Sequence, residues 1–579
     1  MTSLTRVEAQ AILGDFEFDT ATPTRMKIYG VFDPPPPSGF LAVRIVTSNG
    51  LADPTTWQIK SSSSLDGGRA QGRIDSQFEV AVDPGASRTD SLLVPLCPQL
   101  LHWWGSRELE VSVGTGNVPE QSALHHGQGA ADFPAIAISK KLAEKSLTSL
   151  NDEMGKKKGR GYGNGLFGSR FDPDLLPEQW LGYGGFDALI ITGDEWLKAA
   201  PGSRAAVLQW TRFGGRLHIY TTNDGDTLGS FGLPGKTGRQ AARSFGEIEL
   251  RSWNGDALEA GPTVGAYVGL PRRLKTINEE FKSTQNWPLI EALGTRNRAG
   301  WQVIAFLLLF GILVGPINLF VLAPAGRRHR LFFTTPAISL GASLLVVVII
   351  LLQDGTGGKG RRFIAIDLQP SEASAYVTQA QVSRSGVLLA SGFELPQPAL
   401  FAQVVMPASQ WTKLNDSPRS QAVRGTIEGN RYGGTWFQSR TEQGQWLQTI
   451  VPTRGRVELV PAVGANAAPA IVSSLDLVLD PFVYRDAAGL LWRAAQPVKK
   501  GVPLTLVATD DNGLRSWRFD LCAPAHDSLR KRLEASADSK STFVAATSAA
   551  PDFAAETLES IKWENDRIVV FGPLGPPGG

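Results

Sequence analysis

The sequence predicts a multidomain, β-rich membrane protein that carries an α/β unit, and three observations predict it. Two uncharged apolar runs lie close together in the middle of the chain, each long enough to cross a bilayer. Short alternating runs of apolar and polar residues fill both flanks. One stretch ahead of the apolar runs spaces strands and a helix as a parallel sheet requires. The length of 579 residues corresponds to about four units at roughly 150 residues each. Glycine (62) and proline (37) are abundant and charged residues make up only 19%, which favours turns and short strands. With 57 basic and 55 acidic side chains the formal charge is +2, so no basic excess marks a nucleic-acid partner. The two cysteines, Cys97 and Cys522, are too far apart in sequence and too few for a disulfide scaffold or a Cys-based zinc cluster.

Residues 1–125 are expected to form an Ig-like β-sandwich. Runs such as Met26–Val31, Leu41–Val46 and Phe78–Val82 alternate, turn clusters such as Pro34–Pro37 break them, and Leu109–Val113 closes the set. His102, Trp103 and Trp104 are its most aromatic point, suited to stacking on a sugar or peptide or to filling a sandwich edge.

Residues 130–290 are expected to form the α/β domain. Strands fall at 133–138, 187–192 and 216–221, and a helix over 202–213 places Ala206, Trp210 and Phe213 on one face before Gly214-Gly215 stops it. Strand, crossover helix and strand at this separation imply parallel pairing. Ligands of such sheets gather at the carboxyl ends of the strands, here Gly193-Asp194-Glu195 and Thr222-Asn223-Asp224. Asp194, Glu195, Thr222, Asn223 and Asp224 are therefore the candidate ligand site.

Residues 301–352 are expected to form a transmembrane hairpin. Trp301–Ala323 and Leu331–Leu352 carry no ionisable side chain over 23 and 22 residues, and at about 1.5 Å per residue each spans a core of about 30 Å. Gly315-Pro316 kinks the first span, and Asn318 can bond a freed carbonyl or the neighbouring helix. An even number of spans places the regions before and after on one side. Arg327, Arg328 and Arg330 crowd the connecting loop, against Arg296, Arg298, Lys359, Arg361 and Arg362 outside it, so density at the membrane surface favours a cytosolic loop. No apolar signal region is visible near Met1, which taken literally argues for cytosolic domains. Residues 360–525 are expected to form a β-rich domain with Trp436, Trp446 and Trp492 interleaved among turns, and 526–579 a mixed tail with a short helix, a last strand and a disordered end.

The run Leu181–Thr192, with Gly214-Gly215-Arg216-Leu217 after the helix, resembles the class I glutamine-amidotransferase-like (flavodoxin-like) domain of large bacterial membrane proteins of unassigned function. Gly315–Leu322, Arg327-Arg328 and Thr335–Ile338 are similar to the GPLNYFVL-type hairpin of the same proteins. The resemblance implies a sandwich, an amidotransferase-like domain, a hairpin in the inner membrane and a β-rich domain. It also implies exported soluble parts, a cytosolic basic loop, a leader ahead of Met1, and transport or ATPase systems as neighbours. Amidotransferases of that class use a cysteine nucleophile at a strand-to-helix turn. Here Thr221-Thr222-Asn223 follows the third strand and no G-x-S-x-G elbow substitutes, so no catalytic residue is assigned.

Other motifs add little. Gly163–Gly168 matches G-x-G-x-x-G, but Lys156–Arg160 precedes it where a strand is needed, and the stretch 155–168 reads as a basic loop. His125-His126 has no acidic or thiol partner at ligand spacing, so neither a metal nor a cofactor is expected. The expectation is a non-enzymatic interaction or sensing scaffold of the envelope, in contact with the bilayer and with envelope or transport proteins. Its rivals are a divergent enzyme using the strand ends and a carbohydrate- or peptide-binding protein.

Overall fold

The computed structural model describes residues 11–574 except 20–21, 67–71, 98–105, 117, 128–134, 159–165, 236, 271–272, 274–287, 295–299, 405–422, 461–467, 511, 513, 516–521, 523–524 and 526. The aromatic stretch His102-Trp103-Trp104, the outer cations Arg296 and Arg298, and the glycine-rich part of the basic loop all lie outside the described residues.

Alternation in the amino-terminal strands becomes two facing sheets. The first orders Ala11–Asp19, Thr24–Gly30, Gly39–Ser48 and Ser87–Leu96. The second is built on Arg73–Val82, Thr55–Asp66, Ser106–Gly114 and Gln121–Gly127. Because side chains alternate along a strand, Met26 and Ile28 meet Trp57, Val80 and Val111 in one core. Each such buried side chain contributes about 1.5–3 kcal/mol relative to exposure. Leu109–Val113 does not close the set: Gln121–Gly127 pairs outside it, and His126 there faces Glu108 across the pair, its Nδ1 3.7 Å from the carboxylate.

The expected boundary at residue 125 does not contain the sandwich. Strands Phe393–Glu394, Arg424–Glu428 and Arg431–Gly434, all beyond the hairpin, extend the second sheet through parallel pairing of Gly425 with Ile74. An apolar cluster seals the junction, joining Ile74 and Cys97 to Tyr432, Trp436, Phe437 and Leu558. In the other direction Phe32–Asp33 leaves the sandwich to edge the α/β sheet beside Arg170 and Phe171.

The α/β sheet has five parallel strands: Ile136–Ser139, Ser169–Phe171, Ala188–Thr192, Arg216–Thr221 and Gly246–Ser252. Numbered along the chain, their spatial order is 2-1-3-4-5, with the antiparallel Gln240–Arg243 at one edge. Both faces are covered, which is why Ile136–Ser139 and Ala188–Thr192 are apolar almost throughout instead of alternating. Ile136, Ile138 and Ile190 meet helices Lys140–Lys158 and Ala260–Val268. Ala137, Leu189 and Ile191 meet Pro201–Arg212 through Ala206, Val207 and Trp210. That helix begins with proline in its first turn and stops at Gly214, whose φ of 101° suits glycine. Lys156–Lys158, expected in a loop, end the first of these helices. The domain also ends before residue 290, since Leu289 packs into the carboxy-terminal core.

Beyond the hairpin, a nine-stranded sheet runs Ala399–Val404, Glu442–Pro452, Ser374–Ser385, Gly358–Gln369, Ile561–Pro573, Thr542–Thr547, Phe482–Arg485, Leu491–Arg493 and Val507–Thr509. The region expected as a mixed tail thus supplies a central strand: Ile561–Pro573 lies parallel to Gly358–Gln369 and buries Val569, Val570 and Phe571. The short helix is present as Asp527–Ala537.

The hairpin comprises helix Gly300–Ile312, a π-helical segment Leu313–Leu322, a turn through Arg328–Arg330 and helix Leu331–Asp354. Two spans, Ile304–Leu322 and Arg328–Ile349, are long and apolar enough to cross a membrane. A core helix would bury these residues, whereas Phe320, Phe332 and Phe333 are 72%, 84% and 79% exposed. Pro316 lacks the N–H that an α-helix needs, and the backbone widens around it. Asn318, buried two residues later, donates from Nδ2 to Thr335 Oγ1 of the second helix at 2.9 Å. Trp301 lies in the first turn of its helix and Gly315 faces open space. Arg327, Arg328 and Arg330 are exposed at the turn.

Candidate site at the strand ends of the parallel sheet

In a 2-1-3-4-5 sheet the connections leave in opposite directions between the first and third strands, opening a crevice at their carboxyl ends. Ser139 and Thr192 flank it. Glu195 occupies it. Its Oε2 accepts from Ser139 Oγ at 2.6 Å, Thr192 Oγ1 at 2.7 Å and Thr192 N at 3.2 Å, and its Oε1 accepts from Lys141 N at 2.9 Å. Thr192 in return accepts from Glu195 N, which completes a capping box for helix Gly193–Lys198. Three of these bonds fall on Oε2 and one on Oε1, so the carboxylate is held at both oxygens. Asp194 and Glu195 are therefore not a free strand-end loop but the first turn of a helix.

Asp194 points the other way and receives Lys141 Nζ at 2.5 Å, a bond that holds its carboxyl below the usual range. The second expected group forms its own turn. Asn223 Oδ1 accepts from Gly225 N at 3.0 Å and its Nδ2 donates to Asp226 at 3.1 Å. Asp224 accepts from Ser252 Oγ at 2.5 Å, and its carbonyl accepts from Arg239 at 2.7 Å. Thr222 approaches the place where a Cβ on Gly255 would stand. Among the described residues no hydrogen bond joins the two groups; Lys141 and Lys145 lie between them, 5.6 and 5.4 Å above the Trp253 ring.

A polar cluster that sequence reasoning missed lies within the sheet. His218, fully buried, has its Nδ1 2.7 Å from Tyr267 Oη, and Glu249 and Glu247 stand 3.6 and 3.9 Å from its Nε2. Burial lowers the imidazole's pKa and pushes the Tyr267 phenol up, so both are neutral at pH 7. A histidine inside the apolar run Leu217–Tyr220 was the available signal.

The expected nucleophile position is held by Thr221, which donates to Asp226. Cys97 follows a sandwich strand and Cys522 packs under the nine-stranded sheet. Burial pushes the Cys97 thiol up to about 12. Both thiols are buried, so iodoacetamide at pH 8 should label neither in the folded protein and both after denaturation. Rapid labelling of native Cys97 would contradict this environment. Among the described residues no group of three or more His, Cys, Asp or Glu could hold a metal ion.

No family model matches the chain, and no curated protein sequence matches it. Part of the chain is similar to the E. coli curli protein CsgC, at 11% identity and a TM-score of 0.12, over 17% of this chain and 94% of that one. A protein from Archaeoglobus fulgidus gives 10% identity and 0.13, over 20% and 94%. The sporulation control protein Spo0M of Bacillus subtilis gives 8% and 0.13, over 18% and 48%. TM-scores this low carry no argument about fold or function.

Proposed function

We propose that this chain is a membrane-anchored, non-enzymatic envelope protein, a scaffold or sensor whose α/β unit is a flavodoxin-like, amidotransferase-like domain kept for its surface. The observation that carries the reading is Glu195: the crevice where such sheets bind ligands is closed by four hydrogen bonds to the chain's own carboxylate. The 2-1-3-4-5 strand order supports the flavodoxin-like assignment. The Gly315-Pro316-Ile317-Asn318 hairpin supports the resemblance to the bacterial membrane proteins described above. In this reading the hairpin crosses the inner membrane, the basic loop is cytosolic and the soluble body is outside, where it meets envelope or transport proteins.

Two experiments test it. Alanine at Asp194 and Asp224 together removes one surface ion pair and one hydrogen bond, so a scaffold should keep its cellular phenotype and lose only about 1 kcal/mol of stability. Abolished function with normal expression would favour the divergent enzyme instead. For topology, reporters active on one side of the membrane should give the same signal at both termini and the opposite signal in the Arg327–Arg330 loop, because sheet pairing ties the two soluble regions into one body. A cytosolic signal from both termini would reverse the orientation.

A further inference from the structure

One face of the nine-stranded sheet changes character along its length. Where Ile364, Ile366, Ala375 and Val377 form an apolar core, the same face continues as two rows of polar side chains. In the first row Gln403, Gln445, Gln381 and Arg362 stand opposite one another on successive strands. The second row brings Gln443 opposite Ser383 and Ser383 opposite Gly360. Gly360 lacks a side chain because the Trp563 ring lies over it: a Cβ would stand 2.3 Å from that ring. Adjacent strands are about 4.8 Å apart and alternate residues about 7 Å, so these groups share a small patch.

The patch is enclosed. Ala555 and Thr557 bond Gln379 and Gln381 from one side, and Gln438 N donates to Gln443 Oε1 from the other. Gln381 and Gln445 are fully buried, Arg362 nearly so, and Glu556 caps the guanidinium from the surface at 2.7 Å. Yet five enclosed polar atoms find no partner among the described residues: Gln443 Nε2, Gln445 Nε2, Arg362 Nη1, Trp563 Nε1 and Ser383 Oγ. Four can only donate, and the hydroxyl can donate as well. Buried donors without acceptors are costly, so several on one patch require an acceptor-rich guest. A guest with hydrogens to place would find few acceptors, which disfavours water clusters.

We propose that this patch binds one small oxyanion of the carboxylate, phosphate or sulfate class, held mainly by uncharged N–H groups, with the Arg362–Glu556 pair at its outer end. The purified full-length protein in detergent should release one such anion per chain on acid denaturation, and ion chromatography of the extract tells carboxylate from phosphate and sulfate. After exhaustive exchange into chloride, the released species should raise the thermal midpoint saturably at constant ionic strength. Gln445→Met should raise the half-saturating concentration about tenfold or more, one lost hydrogen bond's worth. Absence of a released anion together with no saturable shift among acetate, phosphate and sulfate would overturn the proposal. So would an unchanged response in a folded Gln445→Met. If that variant fails to fold, release and saturation in the unaltered protein decide the question.

Discussion

Replacing Glu372 by glutamine is expected to destabilise the protein by about 3–5 kcal/mol at pH 7, the cost of breaking a buried ion pair from one side. Glu372 Oε1 accepts from Arg212 Nη2 at 2.7 Å and from Arg243 Nη2 at 2.9 Å, while Tyr376 Oη donates to Oε2. Both arginines come from the α/β unit and Glu372 from the turn joining Gly358–Gln369 to Ser374–Ser385 in the nine-stranded sheet, so the cluster pins the two together. Glutamine preserves the shape and removes the charge. Two guanidiniums, 9% and 7% exposed, would then lose the carboxylate they share, leaving Arg212 with Asp367 at 3.6 Å. Chemical denaturation of variant and parent gives the difference, and a loss below about 1 kcal/mol would mean that solvent screens the cluster as it does a surface pair.

The same pair predicts a pH dependence with a definite sign. Burial alone would raise the Glu372 carboxyl, but the Arg212 hydrogen bonds and the Arg243 charge outweigh it and bring it down to about 2 from 4.5. A depressed folded-state pKa contributes stability that is complete above the unfolded value and is lost as pH falls through the folded one. The gap between parent and Glu372→Gln should therefore be constant above about pH 5 and shrink between about 4.5 and 2. Asp367 shifts upward, first through burial and in part through the Glu372 charge itself, so Glu372→Gln lowers it as well and the comparison reports the cluster as a whole.

How much of this could be read from the sequence follows the range of the interactions. The hairpin was legible because two uncharged runs state their own environment, and Pro316 with Asn318 marked the place where the backbone widens and the helices touch. Helix Pro201–Arg212 was legible because Ala206, Trp210 and Phe213 repeat on one face. Asp194 and Glu195, expected in a free strand-end loop, form the first turn of a helix, and the signal was local: Thr192 and Glu195 stand three apart, the spacing of a capping box, and that spacing predicts a satisfied carboxylate.

Long-range pairing left no such trace. Nothing in Arg424–Glu428 names Arg73–Val82 as its neighbour, and Ile561–Pro573 looked like an end because position along the chain says nothing about position in a sheet. The glutamines at 379, 381, 443 and 445 alternate as solvent-facing residues of a strand would; only the segments lying across them make that face an interior.

Trp436→Ala is expected to cost about 3–5 kcal/mol and to loosen regions on both sides of the hairpin together. The indole is buried to 1% exposure, with the rings of Phe401 and Tyr432 at 5.5 and 5.7 Å. A Cβ on Gly425 would stand 2.6 Å from its Nε1, so the strand that pairs with Arg73–Val82 is shaped around this side chain. Its carbonyl accepts from Gln403 Nε2 at 3.0 Å, which ties the same residue to the nine-stranded sheet. Truncation removes the wedge between the two sheets, and Ile74 loses its cover. Amide hydrogen exchange under native conditions should then accelerate in 73–82 as well as in 424–434, by a factor reflecting the whole stability change if the junction opens as one unit. Faster exchange confined to 424–434, with 73–82 protected as before, would mean that the amino-terminal sandwich stands without the strands that reach it from beyond the apolar hairpin.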